Sequence, residues 1–278
     1  MSLRESVATP ALGLWRLVRA LIPAGKGSFR ILLFHDIPLS QQHAFAALVG
    51  GLAKRDLLIT PSEAERRLAG GGGKPGVLLS FDDGFASNAQ VADAVLAPLG
   101  AKALFFVCPG LMEVSGEAQL AAITANVLRG QRSAPEGLMD WDTVERLKAD
   151  GHAIGSHTMD HLRLTDLSLD QRAAQIGDAA LALERRLGQR PGWFAYTFGD
   201  LASIDAASLA EIGRLHGYCR SGVRGCNSAT THSLALRADH VDLTAGTAWQ
   251  ALAVEGGLDV RYRGPRQRLD QMARQARP

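Results

Sequence analysis

Asp82 and Asp83 stand side by side between the apolar run Gly76–Phe81 and Gly84, and a second chemical signal, His157-Thr158-Met159-Asp160-His161, follows much later in the chain. Two adjacent carboxylates repel, so they stay ionised together only when a positive group lies between them or when one becomes a proton carrier. A divalent cation gripped by one carboxylate and two imidazoles removes that conflict and frees the second carboxylate to act as a base. Three protein ligands leave coordination positions for water and substrate, as a catalytic metal site requires. Taken singly, an Asp-Asp-Gly triplet reads as a turn, and two histidines four apart read as polar residues on a helix surface. On a helical turn that spacing would put both imidazoles on one face, able to share a cation. It is their joint appearance after two apolar strand-like runs that points to hydrolytic metal chemistry.

Those runs belong to an alternating pattern. Strands are expected at Arg30–His35, Gly76–Phe81, Lys102–Val107, His152–Ser156, Trp193–Phe198, near Tyr218 and at Leu234–Arg237, with Leu57–Ile59 a weaker candidate. Between them lie helical patterns at Gln42–Lys54, Pro61–Leu68, Ser87–Leu99, Trp141–Asp150, Ser168–Leu187 and Ser203–Leu215, where Asp170 and Ser203 are first-turn or capping residues. Strands separated by helical crossovers form parallel sheets, and such sheets present reactive groups where strands end and helices begin. Gly70–Gly73 precedes a strand instead of opening a helix, so it reads as a connector and not as a phosphate-cradling loop. The polar, Gly-punctuated stretch Val114–Gly137 reads as an insertion able to overhang the site.

A length of 278 residues and a 46% hydrophobic content allow one substantial core. The net charge of +2 argues against a nucleic-acid partner. Cys108, Cys219 and Cys226 cannot all pair; they suit packing or surface thiols in a reducing compartment, while Cys219 and Cys226 could pair in an oxidising one or join a metal site. The segment Leu12–Ile22 is interrupted by Arg16 and Arg19 and lacks a cleavage site, so it reads as an amphipathic helix packed on the domain or lying at a membrane interface. A cytoplasmic location is the corresponding expectation, with the inner face of the membrane as a resting place. The chain divides into an N-terminal helix or arm over 1–28, one catalytic domain over 29–260, and a solvated basic tail over 261–278.

On these motifs the chain resembles the polysaccharide deacetylases with NodB homology, carbohydrate esterase family 4. The resemblance rests on Ser80-Phe81-Asp82-Asp83-Gly84 and His157–His161, supported by Arg30–Ile37, Gly151–Ser156 and Trp193–Gly199, and it spans roughly residues 30–240. It implies a single-domain α/β fold of the distorted (β/α)7-barrel type and metal-dependent hydrolysis of an acetamido group on a sugar. By the same resemblance Asp83, His157 and His161 hold one divalent metal ion, Zn²⁺ first and Co²⁺, Ni²⁺ or Fe²⁺ as alternatives. Asp82 is then the general base, a backbone N–H near Tyr196 binds the oxyanion, and Thr158 orients the site by hydrogen bonding. Three departures stand out. Thr197 follows Tyr196 where the family has Pro, the arginine of that motif has no clear counterpart (Arg190 lies upstream), and no Leu-x-His motif supplies the general acid. Arg237 falls near that histidine's place, His232 and His240 flank it, and His35 is the better-placed candidate for the acid or for the pocket wall.

The partner expected is therefore an amino-sugar glycan of the cell surface or its lipid- or nucleotide-linked precursor, such as an O-antigen or lipopolysaccharide intermediate. Two other readings compete: a carbohydrate-binding or scaffold protein with a degenerate site, and an esterase or other amide hydrolase using the same metal centre.

Overall fold

The structure, a computed structural model, describes residues 3–21 and 25–276; Ile22 and the tail's Arg277 lie outside them. Its centre is a parallel sheet of seven strands in the order β6-β5-β4-β3-β2-β1-β7. The strands are β1 (Phe29–Phe34), β2 (Gly76–Phe81), β3 (Ala103–Val107), β4 (Ala153–Ser156), β5 (Trp193–Ala195), β6 (Tyr218–Arg220) and β7 (Asp239–His240). Leu236, just before β7, bridges Arg220, while Asp239 pairs with Leu32. One short segment thus crosses from the β6 edge to the β1 edge and draws the sheet into a distorted (β/α)7-type barrel.

Alternation along the strands sorts the side chains into two layers. Phe29, Ile31 and Leu33 of β1 join Leu78, Leu104, Phe106 and Trp193 in the barrel's interior. Their neighbours Leu32, Phe34, Leu79, Phe81 and Phe105 face outward into a larger core built with the helices. That outer layer comprises α1 (Leu3–Leu21), α2 (Leu39–Lys54), α3 (Pro61–Leu68), α4 (Ala86–Val91), α5 (Pro109–Met112), α6 (Gly116–Ala122), α7 (Trp141–Ala149), α8 (Leu169–Leu187), α9 (Ala206–Leu215), α10 (Thr247–Glu255) and α11 (Arg263–Gln275).

The helix starts follow side-chain chemistry. Ser168 and Gln171 form a reciprocal capping box at the start of α8, with Asp170 in its first turn. The α9 cap is Asp205, not Ser203, whose hydroxyl instead donates to Asp200. The expected helix over Ser87–Leu99 is α4 followed by a π-type turn, Ala92–Leu96, and a 3₁₀ turn, Ala97–Leu99, ending at left-handed Gly100. Leu57–Ile59 contributes one bridge, Leu58 to Val77, and no strand. The expected strand Leu234–Arg237 is largely a 3₁₀ turn, because the chain must change direction there before pairing with β1 at Asp239.

Both ends of the chain pack on the barrel. Ala8 and Leu12 of α1 are buried against Leu252 of α10, and the Trp15 indole donates to the Glu255 carbonyl. The basic tail is not a solvated strand of charge: over most of its length it is α11, with Leu269 and Ala273 buried and Asp270 accepting a two-pronged bond from Arg237. Cys108, Cys219 and Cys226 are all free.

Candidate metal centre and active site

Register places the chemistry. Phe34 of β1 pairs with Phe81 of β2, and Phe81 with Phe105 of β3. Val107 of β3 pairs with Ser156 of β4. His35, Asp82 and His157 therefore emerge at the same, carboxyl end of neighbouring strands, where the Asp82 and His157 amides still bond to the Phe34 and Val107 carbonyls.

Asp83, His157 and His161 converge there. One ligand atom from each lies within 4.8 Å of the others, and all three residues are buried. The Nε2 atoms of His157 and His161 stand 3.4 and 3.1 Å from the Asp83 Oδ1. The histidines do not share a helical face, as their spacing suggested. They sit in a loop after β4 whose backbone turns left-handed at Thr158 (φ 66°) and His161 (φ 58°), as it does at Asp83 (φ 72°). A β-branched residue in that region is a strained exception, and such strain collects where function requires an exact side-chain direction. The Thr158 hydroxyl secures the loop by accepting from the His161 amide at 3.0 Å.

The outer ring nitrogens are spoken for. His157 Nδ1 lies 2.7 Å from the Ala195 carbonyl, and His161 Nδ1 lies 3.2 Å from the Asn126 carbonyl. Each Nδ1 thus keeps its proton, and both Nε2 atoms face the Asp83 carboxylate, whose buried Oδ1 has no hydrogen-bond partner of good geometry. Only positive charge between them satisfies all three groups. Burial by itself would raise the Asp83 carboxyl, but the charge His161 can carry and the nearness of both imidazoles hold it well below the usual carboxylate range. The donor set of one carboxylate and two oriented imidazoles fits a divalent metal ion.

Asp82 is directed elsewhere. Both its oxygens accept from the Arg220 guanidinium at the end of β6, and Arg220 is fully buried, lying over the Phe106 ring at 5.0 Å. Sequence reading missed this residue. Its only signal was an arginine closing the short apolar-flanked strand at Tyr218. Arg190, the upstream candidate, is on the surface paired with Glu184, and Arg237 is committed to Asp270.

Beside Asp83 opens a cleft of about 410 Å³, lined among others by His35, Asp36, Val127, Arg132, His240 and Asp242. His35 and His240 lie with ring centroids 5.8 Å apart, so the last strand does deliver a histidine to the site, at His240 and not at Arg237. Ser87 and Asn88 hold the loop carrying His35, through Asp36 and the His35 carbonyl. His232 caps a 3₁₀ turn away from this cleft. Tyr196 is buried with its hydroxyl donated to the Gly199 carbonyl, so its side chain is structural and any contribution to the site comes from backbone.

The insertion does reach the site: Asn126 belongs to it, and its Val127, Leu128 and Arg132 wall the cleft. Its Arg129 lies over Phe198, whose ring meets His161 edge-on at 5.0 Å.

Fold and site together define a (β/α) barrel with one aspartate and two histidines placed where they could hold a metal ion. The family model for polysaccharide deacetylase matches residues 69–218, and the chain belongs to that family. Chitin deacetylase from Colletotrichum lindemuthianum is 33% identical over 144 residues, 51% of this chain and 48% of that protein. The chain thus spans about half the length of the relatives it matches in sequence. The fold is shared with the Streptococcus pyogenes deacetylase PplD, solved in complex with acetate, at TM-score 0.67 and 20% identity over 82% of this chain and 98% of that one. It is shared equally with IcaB from Ammonifex degensii, at TM-score 0.64 and 22% identity over 84% and 98% of the two chains.

Proposed function

We propose that the protein is a metal-dependent hydrolase that removes an N-acyl group, acetyl first, from an amino sugar in a cell-surface glycan or its precursor. The observation that carries this reading is the division of labour between the two aspartates. Asp83 faces two imidazoles, whereas Asp82 is held by Arg220 in the same pocket. A binding protein has no use for the second, unliganded carboxylate, and the presence of His240 in the cleft takes away the argument that a degenerate site lacks an acid.

A divalent cation bound by Asp83, His157 and His161, Zn²⁺ foremost, supplies an acidified water and a polarised amide carbonyl. Arg220 fixes the direction of the Asp82 carboxylate, so that Asp82 takes the proton of the attacking water. Backbone N–H after β5, around Tyr196, is the donor for the developing oxyanion. The His35–His240 pair returns a proton to the leaving nitrogen. The insertion walls one side of the cleft, where the amino sugar of a cell-surface glycan or its precursor would enter.

The test is acetate or formate release from a panel of N-acyl amino sugars by Zn²⁺-loaded protein, alongside Asp82→Asn. Loss of roughly 10²–10⁴-fold in turnover with metal content unchanged is expected. Equal turnover by the variant, or no release from any N-acyl sugar by loaded protein, defeats the proposal.

A further inference from the structure

The helix α1 has two apolar faces, and the barrel uses one. Ala8, Leu12 and Trp15 pack on α10, while Val7, Leu14, Leu17, Val18 and Leu21 are 39–84% exposed. Eleven large apolar side chains are exposed among the described residues, and these five make up nearly half of them on one helix. Isolated exposed leucines need no explanation, but a stripe along one helix does. No described helix is long and apolar enough to cross a membrane. A helix of this kind lies on a surface.

Charge indicates which surface. From Val7 to Leu21 the helix carries Arg16 and Arg19 and no acid. Glu255 holds both in place: it binds Arg16 in two-pronged fashion and accepts from Arg19 through its carbonyl, while the Arg16 side chain stays 57% exposed. Exposed Lys54 and Arg55 end α2 beside them. Under the C-terminal half of the helix lies a cavity of about 480 Å³ whose walls include Trp15, Val18, Phe29, Leu57 and Val254; Arg19 and Arg55 line it as well, and its two carboxylates, Glu255 and Asp259, are paired with Arg16 and Arg30. Apolar walls joined to guanidinium groups match an acyl chain with an anionic headgroup. A second copy of the chain would set one arginine row against another, which like charges oppose.

We propose that this outer face of α1 seats the protein on a bilayer containing anionic phospholipid, with the leucine stripe entering the interface and the arginines meeting phosphate. Interfacial helices bind by buried apolar area and electrostatic attraction together, so both contributions are separately removable.

The full chain is sedimented with vesicles of phosphatidylcholine alone and of an equimolar mixture with phosphatidylglycerol. Wild type should pellet with the mixed vesicles and be released as salt screens the attraction. Leu14→Ser/Leu17→Ser/Leu21→Ser should lose at least about tenfold in vesicle affinity, and Arg55→Gln should weaken binding to mixed vesicles alone. Brominated lipid should quench wild-type tryptophan fluorescence, Trp15 being in the cavity wall, a reading that needs no variant to fold. Wild type remaining in the supernatant with mixed vesicles, an absence of quenching, or a triple variant that pellets like wild type overturns the proposal. So does a wild-type dimer that the triple variant dissolves, since the face would then be covered by a second copy.

Discussion

Arg220 and Asp82 show how one residue's partner decides its chemistry. Each is buried, and each satisfies a charge that the protein interior would otherwise expel. Replacing Arg220 by Met leaves Asp82 uncompensated, which should cost about 3–5 kcal/mol of stability. Turnover should collapse as well, since Asp82 then loses the two hydrogen bonds that aim its carboxylate. Adding Asp82→Asn to Arg220→Met should restore part of the stability and none of the turnover. Chemical denaturation of the three variants checks this, and additive losses in the double variant would show that the two side chains do not act as a unit. The same scale exposes where reading the sequence stopped. The aspartates and histidines were visible because their types and spacing are chemical signatures. Arg220 was not, and His240 was weighed only as one of two histidines flanking the expected place of the acid, because an arginine or histidine ending a strand of two or three residues carries no pattern of its own.

At the level of elements, the insertion is the part whose role changed most. Its polar, glycine-punctuated sequence says loop, yet α6 and the π-type turn Ile123–Val127 bring the Asn126 carbonyl to His161. The Asn126 side chain donates to the Asp160 carbonyl at 2.8 Å, tying the insertion to the histidine loop. Groups that orient a metal-binding imidazole typically contribute 10–100-fold to metal affinity. Asn126→Ala, which frees the backbone that carries the carbonyl, should weaken Zn²⁺ binding by roughly tenfold. Titration calorimetry measures it, and unchanged affinity would mean that the rest of the loop suffices. The cap of α8 is a second element-scale test. Ser168→Ala removes one half of the capping box and should cost about 1 kcal/mol, seen in the thermal midpoint; a loss within error would assign the helix to packing alone.

Across the whole molecule, two histidines remote from the cleft tie stability to pH. His152 Nδ1 accepts from the Ala103 amide, and His216 Nδ1 bonds to the Pro191 carbonyl, with both rings buried. Burial first, with nearby positive charge, holds each down to about 4. The unfolded chain takes up those protons near 6.5, so it binds more protons than the folded one between the two values, and stability falls as pH falls through that window. The loss should be on the order of 1–3 kcal/mol per histidine by pH 4. A His152→Asn/His216→Asn protein should show a flatter melting temperature between pH 6.5 and 4.5, and a slope equal to wild type would refute the assignment. The order of β1 to β6 and of α2, α3, α4, α7, α8 and α9, and the residue types that could hold a metal, were legible in the sequence alone, while the hydrolytic class came through the family resemblance. Periodicity and residue chemistry are local properties, and β2, β3 and α8 fall close to where that pattern puts them. Tertiary structure alone decided which arginine meets Asp82, which carbonyls aim the imidazoles, and how the segment before β7 crosses from β6 to β1. Those pairings join residues as far apart as Asp82 and Arg220, and only the closure of the sheet fixes the distance between them.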